Sequence, residues 1–187
     1  MASVAYFYFD FRDANKQNCR DLLASLVAQL SSLSNSCFDE LICLYLSRDK
    51  GARKPREEAL IQCLKKMLTL LVDQHPVYII IDALDECPNT SGMPSPREQV
   101  LDLLKILVEL SFPNLHLCVT SRPDIDIRHA LEPLASHRVL LHEESGQKKD
   151  IIDYVISVVQ SDPKIRGWWN DDRNLVIETL CERANGV

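Results

Sequence analysis

The stretch that decides the fold is residues 77–87, which read Val-Tyr-Ile-Ile-Ile-Asp-Ala-Leu-Asp-Glu-Cys. It begins with five apolar residues, three of them isoleucine, and ends in a group of acids. An unbroken run of this kind is typical of a strand that is buried on both faces, as in a parallel sheet between helices. We therefore predict a buried strand over 77–81, followed at its carboxyl end by Asp82, Asp85 and Glu86.

These acids indicate a metal-dependent phosphate site. Open α/β sheets bind ligands in the crevice at the carboxyl ends of their strands. An acid placed there, Asp82, can hold Mg²⁺ directly or through water. A second acid, Asp85 or Glu86, can orient and deprotonate a water that attacks a phosphate. An ordinary strand that enters a polar loop gives the same pattern, so this simpler interpretation stays open.

A second segment, residues 115–123, points to the same edge of the sheet. It reads Leu-His-Leu-Cys-Val-Thr-Ser-Arg-Pro and predicts a strand that ends at Thr120 and Arg122. Polar residues there can contact a γ-phosphate or position the attacking water, and Arg122 is a fixed cation that suits phosphate or carboxylate. Alternatively, Arg122 pairs with a nearby acid such as Asp85, Glu86 or Asp124. The two roles are compatible.

Strands and helices alternate along the chain, which predicts an α/β fold with a parallel sheet flanked by helices. About four strands are predicted, at 4–11, 77–81, 115–120 and 138–141. The helices are predicted from a cap at Asn18 or Asp21 to Leu33, and at 38–46, 57–73, 96–111, 125–131, 147–160 and 173–184. The helix at 96 is expected to start with a capping box formed by Ser95 and Glu98, with Pro96 as its first residue.

Composition is typical of a globular protein and indicates neither nucleic-acid binding nor a membrane span. Its 187 residues suffice for one domain with a hydrophobic core. The formal charge of −6 gives no support for nucleic-acid binding. No stretch has the length and apolarity of a membrane span, and the first residues do not form a convincing signal peptide. We therefore expect a cytoplasmic protein.

The seven cysteines contain no Cys-x-x-Cys pair, which argues against a zinc site. Buried free thiols account for them better, and Cys63 and Cys118 fall on predicted apolar faces. Cys87 is the candidate for nucleophilic catalysis. The neighbouring acids are expected to raise its thiol pKa, which argues against that role.

Taken together, these residues resemble the NACHT group of STAND P-loop NTPases. More narrowly, they resemble the nephrocystin-3-like N-terminal module that is common in large fungal proteins. The similarity rests on Asp-Ala-Leu-Asp-Glu-Cys at 82–87, Val-Thr-Ser-Arg-Pro-Asp at 119–124 and the opening Tyr-Phe-Tyr-Phe-Asp-Phe-Arg-Asp at 6–13. Pro-Ser-Pro-Arg-Glu at 94–98 adds to it, and the likeness extends from about Val4 to Val187.

The resemblance implies a switch driven by ATP and Mg²⁺, in which the nucleotide favours self-assembly. By motif position, Asp82 is the Mg²⁺ residue of a Walker B segment and acts through water. Asp85 and Glu86 activate water, while Thr120 and Arg122, in a Sensor 1-like Thr-Ser-Arg, read the γ-phosphate. The implied partners are other copies of the chain or adjacent domains of a larger multidomain protein.

The sequence departs from this group in one respect: it has no Gly-x-x-x-x-Gly-Lys-Ser/Thr loop to cradle phosphates. Only five glycines are present, and none is followed by Lys-Ser or Lys-Thr. We therefore expect a single truncated NTPase domain over 1–187 that begins after the first strand and the P-loop. Its core is expected at about 4–145 and a C-terminal helical part at about 146–187.

Three functional interpretations follow from that departure. The first is a piece of a NACHT-type signalling NTPase that has no useful ATPase activity by itself. The second is a non-catalytic interaction or scaffold module that keeps the fold for partner contacts. The third, an unrelated Mg²⁺-dependent phosphohydrolase, needs a nucleophile or phosphate cradle that the sequence does not provide. The missing strand is expected between 115–120 and 138–141, so the chain alone should be marginally stable.

Overall fold

The computed structural model describes residues 2–48, 50–89, 93–139, 145–165 and 167–183. The chain forms two compact units, Met1–Ala135 and Ser136–Val187, which are described separately below. The single truncated NTPase domain expected over 1–187 stays a prediction.

The first unit is built on a parallel sheet, as the alternation of strands and helices predicts. Its strands are β1 (Ser3–Tyr8), β2 (Val77–Asp82) and β3 (Leu115–Val119). They lie in the order β1-β2-β3, and both neighbouring pairs are parallel. Because all strands point the same way, the residues that follow β2 and β3 meet at one edge of the sheet.

The fourth predicted strand, at 138–141, is not found in the described part of the chain. Arg138 and Val139 belong to no strand, and Leu140 and Leu141 lie outside the described residues. The described sheet therefore has three strands. β3 is its last strand on that side.

The described residues of the first unit also form five helices, which largely match the predicted ones. They are α1 (Cys19–Ser31), α2 (Asn35–Leu46), α3 (Glu57–Val72), α4 (Pro96–Glu109) and α5 (Ile125–Leu131). Two short 3₁₀ turns occur at Ala14–Lys16 and Leu84–Glu86. One hydrophobic core joins apolar stripes of these helices to alternate residues of the strands, including Phe7, Ile79 and Ile81.

Two helices begin at side-chain N-caps that the sequence predicts. Asn18 accepts a hydrogen bond from the backbone N–H of Asp21 at the start of α1. Ser95 and Glu98 form the predicted capping box at the start of α4, with Pro96 as the first helical residue. These contacts satisfy N–H groups that have no partner within the helix.

The prediction that β2 is buried on both faces is wrong. Ile79 and Ile81 are fully buried, but Tyr78 and Ile80 are 40% and 37% exposed. The same alternation runs along β1, where Tyr6 is 58% exposed. The buried face is the one that packs into the helical core. The apolar run correctly predicted a strand, but it did not show whether helices cover one face of that strand or both.

The second unit contains α6 (Ser145–Ser161) and α7 (Asn170–Arg183), which contact each other. Both match helices predicted from the sequence. In the parts of the chain that the structure describes, no helix has the length and hydrophobicity needed to cross a membrane.

Candidate functional site at the carboxyl ends of β2 and β3

The site begins with a tight turn directly after β2. Ala83 adopts a left-handed conformation with φ 54° and ψ 46°. This region costs a residue with a Cβ about 1–2 kcal/mol, so the surrounding contacts must stabilise it. The 3₁₀ turn at Leu84–Glu86 follows, and Leu84 is fully buried. The buried leucine anchors the turn that carries Asp85 and Glu86.

Thr120 fastens this turn to the end of β3. Its backbone N–H donates to the Ile81 carbonyl at 2.9 Å, and its carbonyl accepts from the Leu84 N–H at 3.0 Å. Its hydroxyl oxygen accepts from the Ala83 N–H at 3.0 Å, and the hydroxyl donates to Oδ1 of Asp82. Thr120 therefore orients the Asp82 carboxylate and supports the left-handed residue at the same time.

Arg122 and Asp85 form the second contact across the site. The Arg122 backbone N–H donates to Asp85 Oδ1 at 3.0 Å, and its Nε lies 3.4 Å from Asp85 Oδ2. The Asp85 side chain is 13% exposed, whereas that of Arg122 is 75% exposed. The structural pairing considered for Arg122 is thus present, with Asp85 as the partner. Most of the guanidinium remains open to solvent.

Glu86 contacts the segment that follows β1. Its Oε2 accepts a hydrogen bond from the Phe11 backbone N–H at 3.1 Å. This bond connects residues 84–87, called the acidic turn below, to the segment after β1. In that segment Asp10 pairs with Arg12 at 3.2 Å. Hydrogen bonds from the backbone and side chain of Arg12 hold the pKa of Asp10 below its ordinary value. This second charge pair was not anticipated from the sequence.

The structure thus brings Asp82, Asp85, Thr120 and Arg122 together, with Glu86 beside them, but gives each acid its own partner. Among the described residues, no group of three or more His, Cys, Asp or Glu side chains could hold a metal ion. A single carboxylate at a strand end still fits Mg²⁺, which commonly keeps several waters and takes one or two carboxylates plus substrate phosphates. A binding site formed by protein ligands alone does not fit.

No role was predicted from the sequence for Arg97, which is 8% exposed. Its side chain bonds two loops of the site, the turn after β2 and the segment after β3 that leads into α5. Its Nε donates to the Cys87 carbonyl at 2.9 Å and its Nη2 to the Asp85 carbonyl at 2.6 Å. Its Nη1 lies 2.8 Å from Asp124 Oδ2 and 3.2 Å from Asp126 Oδ2. A signal existed: a cation in the first turn of a helix opposes the helix dipole and needs compensating acceptors.

The cysteines are free thiols in the described structure, and most of them are buried. Burial raises the pKa of Cys87 to about 12, and nearby Arg97 works in the opposite direction. Cys87 is therefore a poor nucleophile, although burial is the main cause and not the neighbouring acids. Cys63 is buried as predicted, whereas Cys118 is exposed because it points to the open face of the sheet.

Comparison with known proteins agrees with this architecture. No curated protein and no solved structure matches the chain. The family model described as Nephrocystin 3, N-terminal matches residues 1–122. That range covers more than half of the chain and includes all three described strands and the residues from Asp82 to Arg122. The chain therefore belongs to the nephrocystin 3 N-terminal family.

Proposed function

We propose that this chain provides the metal-binding and γ-phosphate-sensing part of a NACHT-like nucleotide switch that acts in the cytoplasm. In this proposal, ATP with Mg²⁺ favours assembly with other copies of the chain or with adjacent domains of a larger protein. One observation carries it: Asp82 and Arg122 lie at the same edge of the sheet, in hydrogen-bonded contact with neighbouring segments. Such a placement suits a ligand that bridges the ends of β2 and β3.

Each residue has a role that its contacts support. Thr120 holds Asp82 by one oxygen, so the other oxygen is the one to accept a water of a hydrated Mg²⁺. The ion, when bound, neutralises charge on the phosphate oxygens. With a nucleotide bound, the Arg122 side chain would contact the γ-phosphate in place of Asp85 Oδ2, and Asp85 and Glu86 would orient water.

We further propose that the chain alone does not turn over ATP, because the sequence has no P-loop motif to hold the triphosphate. The test is steady-state ATP hydrolysis by the purified chain with Mg²⁺, beside a Glu86→Gln variant. We expect both proteins to give the background rate. Turnover above background that Glu86→Gln abolishes would contradict this part of the proposal.

Metal binding is tested separately with Mn²⁺ as a paramagnetic substitute for Mg²⁺, in the presence of ATP. We expect weak binding to the wild-type chain and at least about tenfold weaker binding after Asp82→Asn, since one carboxylate is lost from the site. The matched control is Asp102→Asn, which removes the same charge from an exposed position of α4. Equal Mn²⁺ affinity in all three proteins would overturn the role of Asp82.

A non-catalytic interaction module is the second candidate, and a specific observation favours it. Asp85 and Glu86 accept hydrogen bonds from the backbone N–H groups of Arg122 and Phe11, so contacts within the chain hold the loop. Calorimetric titration distinguishes the two candidates. If ATP does not bind but the chain forms a stable complex with another domain, the scaffold function is the correct one.

A further inference from the structure

The two loops of the site are joined by a buried side chain. Arg97 bonds the carbonyls of Asp85 and Cys87 on the acidic turn, and the carboxylates of Asp124 and Asp126 on the segment after β3. Its own backbone N–H donates to the Pro88 carbonyl at 3.1 Å. The acidic turn, the segment after β3 and the start of α4 are therefore linked through one guanidinium.

The chemistry of this cluster requires arginine. The guanidinium has five N–H donors in a rigid plane, and here they serve two carbonyls and two carboxylates at once. Lysine carries the same charge, but its single ammonium group cannot reach the two backbone carbonyls and the two carboxylates at the same time. Without the guanidinium, the Asp85 and Cys87 carbonyls lose the donors that Arg97 supplies, which is costly for backbone groups that are buried or partly buried.

The contact that the proposed function uses is weaker than this cluster. The Asp85–Arg122 pair involves a side chain that is 75% exposed, and exposed ion pairs contribute little by themselves. The Arg97 side chain is only 10% exposed, although its partners Asp124 and Asp126 are 42% and 35% exposed. It also bonds two backbone carbonyls, so the Arg97 cluster is better placed than the Asp85–Arg122 pair to set the distance between the loops.

We propose that Arg97 is a positioning residue, which holds the turn at Leu84–Glu86 against the 122–126 segment and so keeps Arg122 within reach of Asp85. The consequence for a phosphate bound over Asp82 rests on the proposed function. The geometric coupling does not rest on it and can be measured without a nucleotide.

The first test follows the alkylation of three buried thiols by mass spectrometry in the native 187-residue chain. Cys87 reports on the acidic turn, while Cys37 and Cys63, whose thiols contact the Met67 and Glu40 carbonyls, report on the core around α2 and α3. In Arg97→Lys we expect Cys87 to react at least about tenfold faster, with Cys37 and Cys63 changed by less than about twofold, because only the turn opens.

The matched control is Arg128→Lys, which alters an exposed pair with Glu132 on α5 and should leave all three thiols unchanged. Two results would overturn the proposal. In one, the alkylation of Cys37, Cys63 and Cys87 in Arg97→Lys accelerates together, which indicates general destabilisation. In the other, Cys87 remains as protected as in the wild-type chain.

The second test reads the site itself through the NMR resonance of the Arg122 amide, which donates to Asp85. Asp85→Ala defines its position when that bond is absent. We expect the resonance to move toward this position in Arg97→Lys. We expect the same in the double variant Asp124→Asn with Asp126→Asn, which keeps the Arg97 bonds to the two carbonyls. A wild-type resonance in both variants would disprove the coupling.

The two proposals fail in different ways. If the wild-type chain shows no Asp82-dependent Mn²⁺ binding, the nucleotide function is wrong, whatever Arg97 does. If Mn²⁺ binds but Cys87 and the Arg122 amide do not respond to Arg97→Lys, the positioning role is wrong and the nucleotide function stands.

Discussion

At the scale of single residues, the site is defined by which partner each polar group takes. Asp82, Asp85 and Glu86 are neighbours in sequence, yet they bond to Thr120, to Arg122 and to the Phe11 N–H. Separate partners relieve the repulsion expected between adjacent carboxylates. The types and positions of these acids were predictable, and Asp85 was one of three partners considered for Arg122. The choice among those three, and the partners of Asp82 and Glu86, were not predicted, because the partner residues lie far away in the sequence.

The buried thiols predict how stability depends on pH. Burial raises the pKa of Cys19 from 9.0 to about 12. In the unfolded chain this thiol ionises from about pH 9, while the folded chain keeps its proton. Its contribution to stability is therefore complete below pH 9 and is lost as the pH rises toward 12, by about 1.4 kcal/mol per pH unit.

Urea unfolding at several alkaline pH values measures this dependence. In Cys19→Ala, the free energy of unfolding should fall with pH less steeply than in the wild-type chain, by the equivalent of one proton. Cys43→Ala removes an exposed thiol and serves as the matched control for loss of a cysteine. Equal slopes in the wild-type chain and Cys19→Ala would show that this thiol ionises normally in the folded chain.

At the scale of secondary-structure elements, local signals gave accurate results. The capping box at Ser95 and Glu98, the cap at Asn18 and the helical periodicities were all confirmed. These features depend on residues three or four apart, so they can be read from the sequence. The burial of β2 could not be read in this way, because it depends on which helices pack against the sheet.

A glutamine side chain covers part of the outer edge of β1, a contact that the sequence did not predict. The Gln29 side chain on α1 accepts from the Tyr6 N–H at 3.0 Å and donates to the Tyr6 carbonyl at 2.7 Å. These are the groups that an additional strand would use. Gln29 thereby protects an edge that would otherwise pair with another chain.

We predict that Gln29→Leu lowers the free energy of unfolding by about 1 kcal/mol, because two backbone groups lose their protein partner. It should also increase self-association. Urea unfolding and sedimentation velocity measure the two effects. Gln74→Leu is the matched control, since Gln74 lies just after α3 and its side-chain amide donates to the Leu70 carbonyl of that helix, away from the sheet edge. If the two variants behave alike, Gln29 has no role at the edge.

At the scale of the whole molecule, the sheet presents an apolar face to solvent. Val4, Tyr6 and Tyr8 on β1 are between 46% and 58% exposed, and Tyr78 and Ile80 on β2 are less so. Contiguous apolar surface of this kind promotes association and reduces the margin of stability. We therefore predict that the chain alone is marginally stable and associates as its concentration rises.

Sedimentation equilibrium and thermal unfolding test this prediction. Ile80→Lys, on the exposed face, should reduce association and keep the fold. Ile79→Lys places the same charge in the core, where Ile79 is fully buried, and should unfold the chain. A clean two-state melt of a wild-type monomer, independent of concentration, would disprove marginal stability.

The sequence by itself determined the parallel α/β class and most helix and strand positions. It also determined that Asp82 and Arg122 lie at the same edge of the sheet. It did so because apolar periodicity, caps and strand direction are local properties. Only the tertiary structure decided which face of β2 is covered, which partner each acid takes and that Arg97 is buried between two loops. Arg97 lies 27 residues from Asp124, and Asp85 lies 37 from Arg122. Contacts over such separations depend on how the whole chain packs, which no local pattern specifies.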